Sequence, residues 1–186
     1  MIQEGKLTRV YTNRDVYSYD LINLPTELRT KVLDAFNNPD YAVNGKKLMS
    51  GVIYFLHYLC SKDVELGIVT ARPKTLEEDT IEFIKNNMSG INFTLGIHFC
   101  NTYSSTDLSS VPPKKEILKK YNPDMYFDDH LQYCEEASSL GIKTGLISND
   151  HTPWNQRVEI GNNIRRFKNV CFLPYKELGE KQWASI

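Results

Sequence analysis

Short apolar runs, each followed by a stretch with helical spacing, recur along this chain, and that alternation constrains its fold more than any other feature. Runs at residues 7–12, 64–69, 94–99, 125–127 and 143–147 are too short for helices and suit strands. Helices are expected over 47–61, from Thr75, behind Pro112 and Pro113, and over 131–140, where Gly141 marks the end. Glu78 follows Thr75 at capping-box spacing, so that hydroxyl and carboxylate would each satisfy an exposed backbone donor. Strands joined through helices run parallel, because a crossover returns the chain in its original direction. The expectation is therefore α/β: a three-layer Rossmann-like parallel sheet with helices on both faces. Residues 170–173 and 175–183 read as one more strand and a last helix.

One stretch stands outside the alternation. Residues 16–46 contain LPTELRTKVLDAF, a helical pattern that starts behind Pro25 and stops before an NNPD turn. It is expected to form a small helical cap inserted into a single domain over 1–186, since no repeat or linker divides the chain. With 22 basic and 23 acidic side chains there is no basic footprint for a long nucleic acid. The longest apolar stretch, 51–60, contains His57 and falls well short of the roughly 20 residues that span a bilayer. The opening MIQEGKLTRVYTNRD lacks the apolar core of a secretory signal, so a cytoplasmic protein is expected. Cys60, Cys100, Cys134 and Cys171 form no CxxC pair and read as buried thiols, and the four scattered histidines give no zinc spacing.

In open parallel sheets ligands bind outside the carboxyl ends of the strands. The residues there are polar and mutually compatible: Asn13-Arg14-Asp15 after the first strand, Thr70-Ala71-Arg72 after the second, and Asp128-Asp129 after 125–127. Lys114 and Lys115 open the helix that leads into the acidic strand. Carboxylates from different strands suit a hard cation such as magnesium, and a hydroxyl with an ammonium suits phosphate oxygens. The pattern points to phosphoryl transfer.

These residues, with GIVTARP at 67–73, KKEILKKYNPDMYFDDH at 114–130 and the later HTPWN, resemble the haloacid dehalogenase superfamily of magnesium-dependent phosphohydrolases. The resemblance runs over residues 7–155 and is nearest to the 5'(3')-deoxyribonucleotidase branch. It implies a nucleotidase-like phosphatase acting on a small phosphorylated metabolite, a (deoxy)nucleoside monophosphate. In that family the first strand ends in DxDx(T/V), and the first aspartate attacks phosphorus. By resemblance, Thr70 would bind the phosphate, and Lys114 would neutralise the phosphoryl oxygens, with Lys115 beside it. Asp15 would act as general acid and base, and positions 13, 15, 128 and 129 (Asn13, Asp15, Asp128, Asp129) would hold magnesium. Arg72 and the loop 149–155, with Trp154, would contact the rest of the substrate.

The first motif departs from the family. Asn13 stands at the nucleophile position and Tyr17 at that of Thr or Val. A neutral carboxamide is a poor nucleophile and a weaker metal ligand than a carboxylate. Asn13 is then either a change that traps a complex or a natural loss of catalysis; the second leaves a silent relative that binds a phosphorylated ligand or a protein partner. Beside these readings stand plainer ones: Tyr54, Phe55 and Tyr58 as core, and His130 as an exposed helix-start residue.

Overall fold

A computed structural model of the chain describes residues 26–100, 112–150, 152, 155, 156 and 158–168. The strand expected over 7–12, residues 13–15, Trp154, Cys171 and the elements expected over 170–173 and 175–183 lie outside the described residues. Helix α1 (Thr26–Asn37) forms where the pattern behind Pro25 indicates it. The NNPD turn becomes a short helix, α2 (Pro39–Ala42), because Asn38 accepts the Asp40 N–H at 2.9 Å and Pro39 needs no partner in a first turn.

Helix α3 (Val52–Cys60) begins five residues later than expected. Gly51 sits at φ 80°, in the left-handed region that ends any helix running through it. Phe55 and Leu59 are buried, but Tyr54 is 81% exposed, because neighbours on a helix diverge by about 100°. Tyr54 is therefore not core. Strand β1 (Gly67–Thr70) also starts late: Asp63 is left-handed, and the Val64 N–H closes the end of α3 on the Leu59 carbonyl. A single 3-10 turn, Lys74–Leu76, precedes α4 (Glu77–Asn87). The capping box does not form, since Thr75 lies inside that turn and no side chain caps α4. Glu77, Glu78 and Asp79 instead complement the positive end of the helix.

Strand β2 (Gly96–Phe99) pairs parallel with β1, Ile68 opposite Ile97. Helix α5 (Lys114–Tyr121), strand β3 (Met125–Asp128), helix α6 (Leu131–Ser139) and strand β4 (Lys143–Ile147) follow as the sequence indicates. Strand β5 (Ile164–Phe167) is unmarked in the sequence because its central residues are arginines. Strands β3, β4 and β5 form a parallel sheet in that order.

Alternate residues of this sheet enter different clusters, as strand geometry requires. Phe127, Ile147 and Phe167 pack with Phe55 and Leu59 of α3, in a cluster that also takes in Leu66 and Phe93 beside the β1-β2 pair. Tyr126 packs with Leu118 of α5 and Ala137 of α6. Leu146 and Ile164 pack with Cys134 of α6. Gly145 makes the room: a Cβ there would lie 2.4 Å from Phe127. The described residues thus combine helices with parallel strands in two small sheets, the α/β class expected. No described helix is long and apolar enough to cross a membrane.

Candidate functional site

A lysine at the first position of a helix meets the positive end of the helix dipole, and the bland expectation is a solvated side chain. Lys114 opens α5 and is instead buried, its Nζ 2.6 Å from Oδ2 of Asp128, with both side chains 7% exposed. Its ammonium also lies 4.1 Å from the centre of the Tyr133 ring. A buried ammonium needs this kind of pairing, because losing water costs it several kcal/mol. Lys115, one residue on, is exposed. Of the two lysines, Lys114 is the one that meets the acidic strand end.

Asp128 ends β3 and is held from three sides. Its Oδ2 accepts from Lys114 and from the Tyr126 hydroxyl, and its Oδ1 accepts the His130 N–H at 2.8 Å. Tyr126 is two residues upstream and so on the same side of the strand, a parity that the sequence itself carries. Burial and the nearby Asp128 charge push the Tyr126 phenol far up, so it stays a donor. The next residue, Asp129, is exposed; crowding by protein and then repulsion from Asp128 push its carboxyl up to about 6. His130 is half-buried against the Tyr133 ring rather than exposed, and burial lowers its pKa.

Thr70 ends β1, where its carbonyl accepts the Cys100 N–H and its Oγ1 accepts the Arg72 N–H at 3.2 Å. Arg72 bonds the Thr80 hydroxyl on α4 at 3.4 Å rather than the acid pair. Cys100 lies near enough to Lys114 to feel its charge, although burial dominates and pushes the thiol up to about 11. Cys134 is buried too and pushed up to about 12. The end of β1 and the start of α5 therefore lie close together. Asn13, Asp15 and Trp154 lie outside the described residues.

In the loop after β4, the described Thr152 and Asn155 are 5% and 1% exposed and turn into the protein. Asn155 Nδ2 donates to the Asp129 carbonyl at 2.6 Å and to the Ile147 carbonyl at 2.7 Å. Arg166 of β5 donates to the Asn155 carbonyl, to Ser148 Oγ and to the Val158 carbonyl. No sequence signal marks Arg166.

Among the described residues no group of three or more His, Cys, Asp or Glu side chains is placed to hold a metal. Asp128 and Asp129 alone would give two oxygen ligands, against the six that magnesium takes. Two surface grooves, of about 220 and 340 Å³, lie beside α4, and neither is lined by Thr70, Lys114 or Asp128. No family model matches the chain, and no curated protein or solved structure matches it.

Proposed function

We propose that the carboxyl edge of these strands binds a phosphomonoester and magnesium in the manner of the haloacid dehalogenase superfamily. The substrate class is a (deoxy)nucleoside monophosphate, and the reaction of an intact site is hydrolysis. The observation that carries this reading is the Lys114–Asp128 pair, a buried cation held at a strand-end acid pair. A site whose resident charges neutralise each other suits an anionic substrate that arrives with a cation.

The edge of β1 away from β2 and the edge of β3 away from β4 pair with no strand among the described residues, while both sheets share the α3 cluster. In this proposal the strand expected over 7–12 would bridge those edges. One parallel sheet would result, in the order β2, β1, 7–12, β3, β4, β5, with α3 on one face and α5 and α6 on the other. That is the three-layer Rossmann-like arrangement, and it would bring Asn13 and Asp15 beside Thr70 and Asp128. Helices α1 and α2 would belong to the cap over 16–46.

Each residue then has a role that chemistry permits. Asp128 and Asp129 would hold magnesium with positions 13 and 15; Asp128 Oδ1 keeps a lone pair beyond the one given to His130. Bound magnesium would offset charge on the phosphoryl oxygens. Lys114 would share its protons between Asp128 and those oxygens. The Thr70 hydroxyl accepts from Arg72 and keeps its own proton to donate. Asp15 would protonate the leaving alcohol and then take a proton from the attacking water. The buried thiols suit a reducing compartment, and we place the protein in the cytoplasm.

Asn13 favours a second reading, ligand binding without turnover, because a carboxamide is a poor nucleophile toward phosphorus. Phosphate release from nucleoside monophosphates with magnesium, for the chain as given and for Asn13→Asp, separates the two. Turnover only in Asn13→Asp supports the hydrolase reading. No turnover in either, with nucleotide still bound, supports the binder.

A further inference from the structure

A buried asparagine is expensive unless its polar atoms find partners, and the amide donors of Asn155 both do. Both Nδ2 hydrogens are taken, one by the carbonyl of Asp129 after β3 and one by that of Ile147 at the end of β4. Its Oδ1 lies 3.3 Å from the Thr152 hydroxyl. The opposite amide orientation would set oxygen against two carbonyls, so the assignment follows from chemistry. The Asn155 backbone is held as well: its N–H donates to the Thr152 carbonyl at 3.2 Å, and its carbonyl accepts from Arg166. Arg166 extends the strut from β5, spreading its planar fork over Ser148 Oγ at 2.8 Å and the Val158 carbonyl at 2.7 Å. Thr152 Oγ1 accepts the Asn149 N–H at 2.8 Å, which folds the loop back on β4.

We infer that Asn155 and Arg166 are positioning residues that lock the carboxyl ends of β3, β4 and β5 into a wall formed before any ligand binds. The inference rests on the reading of Asp128 and Asp129 as the ligand-binding acid pair. Asn155 grips the peptide of Asp129, not its carboxylate, so it sets the direction from which that carboxylate faces the site. An aspartate at 155 would keep the shape but lose both donors and bring an anion against two carbonyls. Thr152 and Asn155 are accordingly fixed parts of this wall.

The test is amide hydrogen exchange of the full chain, without ligand and then with magnesium and inorganic phosphate, for the parent, Asn155→Ala, Asn155→Asp and Arg166→Lys. In the parent, the amides of Asn149, Thr152 and Asn155 are expected to be protected already without ligand and to change little with it. Asn155→Ala and Asn155→Asp are expected to lose about tenfold or more of that protection there, with β1 and β2 unaffected. Protection that appears only with ligand, or that falls evenly throughout the fold, overturns the inference. A second arm measures binding of manganese as a magnesium probe. Loss of a supporting contact typically costs about 10–100-fold in metal affinity, and that is expected for Asn155→Ala. Unchanged affinity in Asn155→Ala overturns the positioning role. If the parent itself binds no manganese, the acid-pair reading fails, and the positioning role falls with it, whereas exchange still decides whether the wall is locked.

Discussion

At the scale of single residues, the Lys114–Asp128 pair dominates. Removing one partner strands the other charge in the interior, so Lys114→Met is expected to cost about 3–5 kcal/mol in denaturant unfolding. Pairing it with Asp128→Asn should recover much of that loss; a double variant as unstable as the sum of the two singles would show that the groups do not interact. Asp129 behaves differently, since its carboxyl is raised from 3.8 to about 6. The folded chain then binds the proton more tightly than the unfolded one. This group therefore favours folding fully below 3.8, and that contribution is lost as pH rises through 6. Water softens the effect at an exposed residue. In chelator, Asp129→Asn is expected to gain stability relative to the parent between about pH 4 and about pH 7, and parallel curves would refute the assignment. Aspartate at 128 was legible as a site candidate from its strand end, and the lysine pair 114–115 from the start of the helix that leads into that strand. That Lys114 rather than Lys115 is buried was not, because adjacent helix positions share composition and differ only in which face meets β3.

At the scale of elements, local chemistry set some boundaries and long-range packing others. Gly141 ends α6 and Pro113 opens α5 as the sequence indicates, since both effects lie within a few residues. The capping box failed because the chain behind Pro73 first makes a 3-10 turn, which moves Thr75 off the cap position. Thr75→Ala should therefore cost well under the roughly 1 kcal/mol typical of a lost N-cap, as read by thermal melts. Gly145 is the opposite case, a residue whose importance appears only in the assembled sheet. Its missing Cβ would sit 2.4 Å from Phe127 and 3.1 Å from Phe167. Gly145→Ala is expected to destabilise by at least about 1–3 kcal/mol, and Phe127→Leu in the same chain should relieve part of it. Normal stability in the single variant would mean that the rings move aside freely.

At the scale of the whole molecule, the edge of β1 away from β2 and the edge of β3 away from β4 pair with no strand among the described residues, and open edges promote association. A chain lacking residues 1–15 is expected to aggregate, read by size-exclusion chromatography; a monomer that melts cooperatively would show that residues 7–12 do not complete the sheet. The sequence by itself determined the class of fold, the helix–strand order of the central part and which strand ends carry polar side chains. Periodicity and Gly or Pro punctuation are local properties, so one chain suffices to read them. Tertiary structure alone decided that Lys114 is buried on Asp128, that Tyr126 serves the same carboxylate, and that IRRF is a strand. It also turned Thr152 and Asn155 inward, to bind carbonyls from two strands. Those outcomes depend on partners many residues distant, and on the rule that a buried polar group must find its hydrogen bonds wherever the fold supplies them.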